Sequence, residues 1–508
     1  MRTGLLLPAV ALLALCGCTV GPDYHKPEVH MPEAYQTPAE LASRTGAMSP
    51  VAPAPVELAT WWKSLNDPQL DSLVDRALNS NLDLSMAASR LQAARAEVGV
   101  VVSRRLPSAE FSAGLGRGSG TNSTKGRVSP ALNSATNTTG LQEITHVVGF
   151  DALWEVDLFG RLRRQAEAAM ADAQAASDLR NQVLVTLVAD VARAYVHVRS
   201  LQLRLDVAQR MMSVASKTVD LSHAKFKRGM VNELDAALAE RELATVQARI
   251  QPLQAELAAA KRTVSLLLGQ FPEELNSELG ESKPLPAAPA AIDTGLPGEL
   301  LVRRPDIRQA ESELVASNAR IGVATAALYP QITLTGGIGY QGQGLGRLPV
   351  DWKFIYSGGP SVNWQILDFG GISSLIDAQD YRTQAQLASY RKVVIGAVEE
   401  VDNALTNYNA ERARLDDLDR AQDAAQRSVD LATKRYDRGL TDFLNVLDAQ
   451  RQLFDIQDAH AVGEEAAVGE YIALCKALGG GWAGATLATA AAPAAGPASP
   501  APQPVATP

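Results

Sequence analysis

Two stretches of this chain repeat one another at fixed spacing. Residues 154–269 align with residues 364–479 at a constant offset of 210, without an insertion. Trp154, Phe159 and Gly160 fall on Trp364, Phe369 and Gly370, and Val219-Asp220-Leu221 on Val429-Asp430-Leu431. Arg228-Gly229 falls on Arg438-Gly439, Arg241 on Arg451 and Gln247 on Gln457. A second block, residues 83–114, matches residues 306–337 at an offset of 223, bringing Leu91, Gly99 and Pro107 onto Leu314, Gly322 and Pro330. The difference between the offsets is absorbed between Gly114 and Trp154, where Ser, Thr, Asn and Gly dominate. A duplication that tolerates a length change at one point only describes a structural unit repeated about a common axis.

The repeats contain two very long uninterrupted segments. Arg161 to Arg228 has neither Gly nor Pro over 68 residues, and Ile372 to Arg438 has one Gly over 67. As helices rising roughly 1.5 Å per residue, each would reach about 100 Å, a rod rather than part of a globule. Val188, Val191, Tyr195, Val198, Ala208, Ala215 and Phe226 step by threes, fours and sums of the two, as do Val398, Val401, Leu405, Tyr408, Leu415, Ala425 and Tyr436. Such a stripe predicts a seam for a partner helix. Each rod ends at the same Arg-Gly, where glycine supplies a left-handed stop. The run Leu440, Leu447, Phe454, Ala461, Val468, Cys475 then keeps a seven-residue step, so each repeat should end in a helical hairpin with an exposed tip. Pro252 is expected to disturb the first returning helix, and Gly463 and Gly469 to loosen the second.

Before each rod the period changes to two. Phe150, Ala152, Trp154, Val156 and Leu158 alternate with mostly acidic neighbours, and Ala109, Phe111, Ala113 and Leu115 with Ser, Glu and Gly. Ile332, Leu334 and Ile338, then Val362, Trp364 and Ile366, repeat the pattern. These are four strands that keep a polar face, as barrel strands lining water do. Four strands cannot close, and an open edge in lipid leaves backbone groups unpaired. Two chains would give a filled eight-stranded barrel, and three a twelve-stranded one wide enough for water.

The N-terminus reads as a targeting segment: Arg2, an apolar run from Leu5 to Leu15, then Leu15-Cys16-Gly17-Cys18. Leu at −3 and Gly at −1 make Cys18 the acylated residue of a lipoprotein, carrying N-acyl and diacylglycerol lipid. An ordinary secretory leader is the plainer alternative. Thr19, not Asp, follows, so nothing holds the product at the inner membrane. Cys475 is then alone and no intrachain disulfide forms. The net charge of −9 argues against nucleic acid as a partner. No apolar run of 18 follows the leader, which excludes a conventional membrane-spanning helix.

The chain thus divides into a leader over 1–17 and an anchor with an extended strap over 18–60. A first repeat over 61–269 holds a short helix from Trp61 to Asn79, strands at 106–117 and 145–158, and a hairpin at 160–268. A linker over 270–297 leads to a second repeat over 298–479, with a helix at 305–328, strands at 330–341 and 354–368, and a hairpin at 370–478. Residues 480–508, almost wholly Ala, Pro, Gly, Ser and Thr after Trp482, form a tail expected to be disordered. The loops 117–141 and 341–351 should face outward.

Several motifs add a family resemblance. Cys18-Thr19-Val20-Gly21-Pro22-Asp23-Tyr24, then Trp61-Trp62 followed by Asp67-Pro68-Gln69-Leu70, and above all Arg303-Arg304-Pro305-Asp306-Ile307 with Ala310-Glu311, Ile321-Gly322 and Tyr329-Pro330 occur in order. Together they resemble the outer-membrane factor (TolC-like) family, in its NodT-type, OprM-like lipoprotein branch. In its own terms Pro305 fits a first helical turn and Asp306 complements the dipole there. The resemblance implies an α+β membrane protein: a homotrimeric twelve-stranded β-barrel continuous with a periplasmic α-helical barrel. It implies the outer-membrane exit duct of a tripartite export system, docked to a periplasmic adaptor (membrane fusion protein) and an inner-membrane RND-type transporter. It also implies a periplasmic gate at Tyr436, Asp448 and Arg451, Arg451 meeting a neighbouring subunit's carboxylate. Leu238 stands where the second copy has Asp448, so the acidic ring would number three rather than six. The tips Arg228, Gly229, Met230 and Arg438, Gly439, Leu440 are the adaptor-docking candidates.

No phosphate loop, no His-Glu-x-x-His and no Gly-x-Ser-x-Gly elbow occurs. Six His and three Cys show no metal spacing, so neither catalysis nor a metal or other cofactor is expected. A structural coiled-coil lipoprotein is the main rival. It accounts for the rods but not for four alternating strands at matched positions.

Overall fold

The computed structural model describes residues 19–35, 57–118, 143–275, 277–289, 297–344 and 351–482. Cys18, most of the two outward loops and the tail beyond Trp482 lie outside them. Two short helices lead the fold, α1 (Pro68–Ser80) and α2 (Leu82–Ser103), followed by β1 (Ser108–Gly118) and β2 (Glu143–Val156). Next come α3 (Arg161–Lys227) and α4 (Glu233–Leu267). The order then recurs as α5 (Pro305–Ala326), β3 (Gln331–Gly344), β4 (Asp351–Asn363), α6 (Gly371–Asp437) and α7 (Phe443–Ala477). Copy for copy, α3 and α6 have 67 residues each and α4 and α7 have 35. None of the described helices is long and apolar enough to cross a membrane. Described residues within Met1–His30, Ala88–Leu179 and Asp306–Val393 form one compact unit, and those within Met31–Ala87, Arg180–Pro305 and Val394–Pro508 a second.

The first unit holds one antiparallel sheet in the order β1-β2-β3-β4. Across it Phe111, Phe150, Ile338 and Tyr356 stand in one row, all exposed. Glu110, Asp151, Gly337 and Ser357 form a row of the opposite parity. The alternation expected from sequence is therefore present, with the large apolar side chains on the uncovered face. At the strand roots, the Trp154 indole donates to the Arg105 carbonyl and the Trp364 indole to the Leu328 carbonyl, both at 3.0 Å. Donors 210 apart and acceptors 223 apart reproduce the two sequence offsets. The strand boundaries need correction: β3 runs on to Gly344, β4 begins at Asp351, and β4 stops at Asn363 instead of running to 368, because Asn363 pairs with Gln331, the first residue of β3, and Trp364 onward has no ladder partner among the described residues.

The second unit is helical. The heptad positions Leu447, Phe454, Ala461, Val468 and Cys475 are all buried, whereas Leu440 is exposed at the tip. Pro252 does not end α4, which continues from Glu233 to Leu267. Ile250 and Leu253 are buried beside it, so packing carries the helix past one missing hydrogen bond. Gly463 does not loosen α7 either. A Cβ there would come within 3.1 Å of Leu415 and 3.2 Å of Leu418, so the glycine lets α6 approach closely. Gly469 likewise leaves α7 unbroken.

The expected first helix is two pieces: a 3-10 helix over Leu58–Leu65, then α1, separated by Asn66 at φ +52°. Asp67 caps α1, accepting from the Gln69 and Leu70 amides, and Pro68 takes the first helical position. The described part of the linker, 270–275 and 277–289, is packed, with Leu275 and Leu279 buried. It is held by Arg199, which is wholly buried. Its guanidinium donates to the Tyr195 hydroxyl at 3.0 Å, to Gln202 Oε1 at 2.6 Å, to the Glu281 carbonyl at 2.7 Å and to Gln69 Oε1 at 2.5 Å. Tyr195 in turn donates to Asp67 Oδ2 at 2.5 Å.

The Arg303-Arg304 motif also does more than start α5. Arg304 donates to the Ala477 carbonyl at the end of α7, at 2.8 Å, and pairs with Glu400 at 2.7 Å, as a cation should at a helix C-terminus. Its counterpart Asn81 donates to the Leu267 carbonyl at the end of α4. The tail begins later than expected, since the Trp482 indole donates to the Arg303 carbonyl at 2.9 Å.

Candidate gate, docking tips and anchor strap

Both hairpin tips are built by one backbone device. The Gly229 amide donates to the Phe226 carbonyl and the Met230 amide to Lys225. Gly439 and Leu440 bond Tyr436 and Arg435 in the same way, all at 2.8–2.9 Å. With φ of +71° and +69° at the two glycines, these are Schellman stops. Nothing lies within 4 Å of a Cβ at either glycine, so backbone conformation rather than space selects the residue. Arg228 and Arg438 are exposed there. So are three apolar pairs at the 210 offset: Met230 with Leu440, Leu221 with Leu431, and Leu234 with Leu444. The last two pairs were missed in the sequence, though the repeated Val-Asp-Leu triplet marks one of them.

Of the three expected gate residues, Tyr436 lies near the end of α6, and Asp448 and Arg451 stand three apart on α7. Tyr436 packs on Phe443, ring centroids 5.3 Å apart, beside a cluster of Ala239, Val446 and Leu447. Lys225 lies 4.2 Å from the ring centroid and 3.8 Å from Asp437. Burial, then the charges of Asp235 and Asp437, push the Tyr436 hydroxyl pKa up. Asp448 is exposed. Arg451 pairs with Glu242 of the same chain at 3.0 Å. Glu242 is only 4% exposed, and a carboxylate so placed needs a cation. The hydrogen bond that Arg451 donates to Glu242, then the Glu242 charge and those of Asp448 and Asp455, raise the Arg451 pKa. Glu242 escaped the sequence reading because its repeat counterpart is Gln452. Only packing of α4 against α7 brings it to Arg451.

Above the tip, His197 and Arg204 on α3 meet Glu465 and Asp458 on α7, each pair at 2.7 Å. The hydrogen bond that His197 donates to Glu465 raises the His197 pKa, against burial, with the Glu465 and Glu256 charges adding to it and that of Arg204 opposing it. Burial alone would raise the Glu465 carboxyl, but the His197 and Ser200 hydrogen bonds hold it below the ordinary range. A raised histidine stabilises the fold fully below about pH 6.5, its unfolded value, and that contribution is lost as pH rises through the folded value. His197→Gln should therefore lower the thermal midpoint at pH 6 and have less effect at pH 8.5. The pair is part-exposed, so at most about 1 kcal/mol is at stake. An equal deficit at both pH values would count against this tie.

In the first unit the strap is wedged in place. The Val20 amide donates to the Phe159 carbonyl at 3.2 Å, and Arg164 donates to the Val20 and Gly21 carbonyls and pairs with Asp23 at 2.7 Å. Lys26 pairs with Glu311 at 2.8 Å. Gly21, at φ +87°, lies so close to Gly322 that a Cβ would overlap the Gly322 Cα. Gly21→Ala is accordingly expected to dislodge the strap, read as faster proteolysis within 19–35. A wild-type cleavage pattern would argue against the wedge.

An open sheet with an uncovered aromatic face, joined to paired long hairpins with apolar tips, defines the class of outer-membrane channels. The solved structure of the outer-membrane channel OprN superposes with a TM-score of 0.79 at 36% identity, covering 92% of this chain and all of that one. The chain belongs to the outer membrane efflux protein family, whose model matches residues 73–270 and 296–480. Nodulation protein T of Rhizobium leguminosarum bv. trifolii is 31% identical, covering 92% of this chain and 96% of that protein. The toluene efflux pump outer membrane protein TtgF of Pseudomonas putida is 32% identical, covering 95% and 98%.

Proposed function

We propose that three copies close one twelve-stranded barrel in the outer membrane and act as the exit duct of a tripartite export system, passing substrates passively from the periplasm to the outside. The observation that carries this is the four-stranded sheet, whose order leaves β1 and β4 as edges and whose uncovered face is aromatic. Such a sheet is costly in lipid until sister strands pair with it. The tips at Arg228-Gly229-Met230 and Arg438-Gly439-Leu440, with Leu221, Leu234, Leu431 and Leu444, receive a periplasmic adaptor, which an inner-membrane RND-type transporter feeds. Acyl lipid on Cys18 adds an anchor. The resting gate comprises Tyr436, Asp448 and Arg451, with Glu242 as the partner of Arg451.

Single-channel recording in planar bilayers tests this reading. Discrete conductance steps are expected, and Asp448→Ala with Arg451→Ala should raise the resting current. A purified trimer that conducts nothing would favour a structural lipoprotein, and an unchanged closed-state current would remove the gate assignment.

A further inference from the structure

Tryptophan bounds the uncovered face of the sheet at both ends. Trp154 stands in a row with Leu334 and Pro360, and Trp352 precedes Pro360 by eight residues on β4. At about 3.3 Å per residue the two levels lie roughly 26 Å apart, the height of the apolar band of a barrel in lipid. Between them runs the exposed row of Phe111, Phe150, Ile338 and Tyr356. Trp154 and Trp352 are themselves part-exposed, and indoles at such levels sit where hydrocarbon meets water.

The two helix-to-strand roots differ in charge at the Trp154 level. Past α2 come Arg104 and Arg105, whose amides bond the Val101 and Val102 carbonyls, and the chain enters β1 through Leu106 and Pro107. The counterparts past α5 are Ala327 and Leu328. Both arginines are exposed, and neither guanidinium has a partner among the described residues. Other arginines of this unit are neutralised within it: Arg161 by Glu155, Arg163 by Asp157, Arg164 by Asp23 and Arg320 by Asp172. The Trp154 indole, bonded to the Arg105 carbonyl at 3.0 Å, is fixed against the base of the pair. Leu106 beside it is 65% exposed.

We infer that Arg104 and Arg105 bind the headgroup phosphate of an anionic phospholipid from the periplasmic leaflet, with its acyl chains against Leu106 and the apolar face above Trp154. This rests on the proposed barrel, which puts the strand roots at the inner boundary of the membrane. Two chemical facts favour this occupant. The planar guanidinium donates parallel hydrogen bonds to phosphate oxygens, and basic side chains beside a bilayer attract anionic headgroups over a Debye length. A zwitterionic lipid carries its own cation beside the phosphate and gains less from the pair. Free phosphate lacks the chains that Leu106 and the apolar face would cover. Because Ala327 and Leu328 cannot reproduce the site, each chain holds one such lipid, at the first copy's root.

Native mass spectrometry of the detergent-purified full chain, titrated with dioleoyl phosphatidylglycerol, tests the site. One retained lipid per chain is expected, with dioleoyl phosphatidylcholine held far more weakly. Arg104→Gln with Arg105→Gln should weaken retention about 25-fold, roughly fivefold for each basic side chain near an anionic surface. In the wild type the preference should vanish in about 1 M salt, where the Debye length is roughly 3 Å. Equal retention of both lipids by the wild type, or unchanged retention in the double variant, would overturn the site. Displacement of the lipid by an equal concentration of inorganic phosphate would also overturn it, as a site for free anions. So would a double variant that keeps the lipid but dissociates from its oligomer at lower temperature, since a sister chain's carboxylate would then be the partner of the arginines. Conductance in planar bilayers separates this from the reading beneath it. A wild type that conducts nothing would refute the duct, whereas a double variant that conducts normally and loses the lipid supports the site.

Discussion

Replacing Arg199 with methionine should lower stability by about 3–5 kcal/mol, the largest effect expected of any single substitution in the second unit. Methionine fills much of the volume but leaves the Gln202 side-chain oxygen and the Glu281 carbonyl without the donor they bond at 2.6 and 2.7 Å, while Gln69 Oε1 keeps only Lys283, at 3.0 Å. Each buried acceptor left unsatisfied costs about 1–3 kcal/mol, and the site has no room to rearrange, since Tyr195 and Leu201 are fully buried beside it. The damage should be local first. Residues 277–289 are tied to α3 through Arg199 and Gln202, so a glutamate-specific protease should cut after Glu281 well below the melting temperature. A variant with an unchanged thermal midpoint and no new cleavage there would show that the buried guanidinium is dispensable.

The second large effect is on the gate proposed above. Glu242→Gln should raise the resting current about as much as Arg451→Ala, because either change dissolves the same 3.0 Å pair. Half-exposed pairs contribute about 1 kcal/mol, roughly fivefold in an equilibrium per chain, and three chains opening together would multiply this to about a hundredfold. The double variant separates the pair from its parts. If Glu242 acts through Arg451, Glu242→Gln adds little to Arg451→Ala. Independent, multiplying effects would mean that Arg451 holds the gate by another contact. Asp448→Ala alone should change ion preference more than closure, since it is exposed.

What could be read from the sequence follows from how local each determinant is. The tip glycines were legible because a left-handed stop requires only one residue. The seam from Leu447 to Cys475 was legible because burial on a helix repeats with the turn. Strand identity was legible from alternation, but the end of β4 was not, since a strand lasts only as far as its ladder partner and that partner is elsewhere in the chain or beyond it. Glu242 needed the packing of two helices from different copies. Arg304 was noticed as a motif but assigned only to the helix start, because its bond to the Ala477 carbonyl spans 173 positions. Pro252 was misjudged for the converse reason: a local penalty of a few kcal/mol was outweighed by neighbours that composition does not disclose.

The wedge at Gly21 has a mechanical consequence. Thr19 presses on Gly160, where a side chain would come within 2.8 Å of it, and Val20 is already bonded to the backbone just past β2. A fatty chain on the preceding residue would have no slack tether. Any pull on it would be borne at once by the sheet's own root, so the depth of the acyl group in the bilayer would set the immersion of the strands to within the reach of one residue.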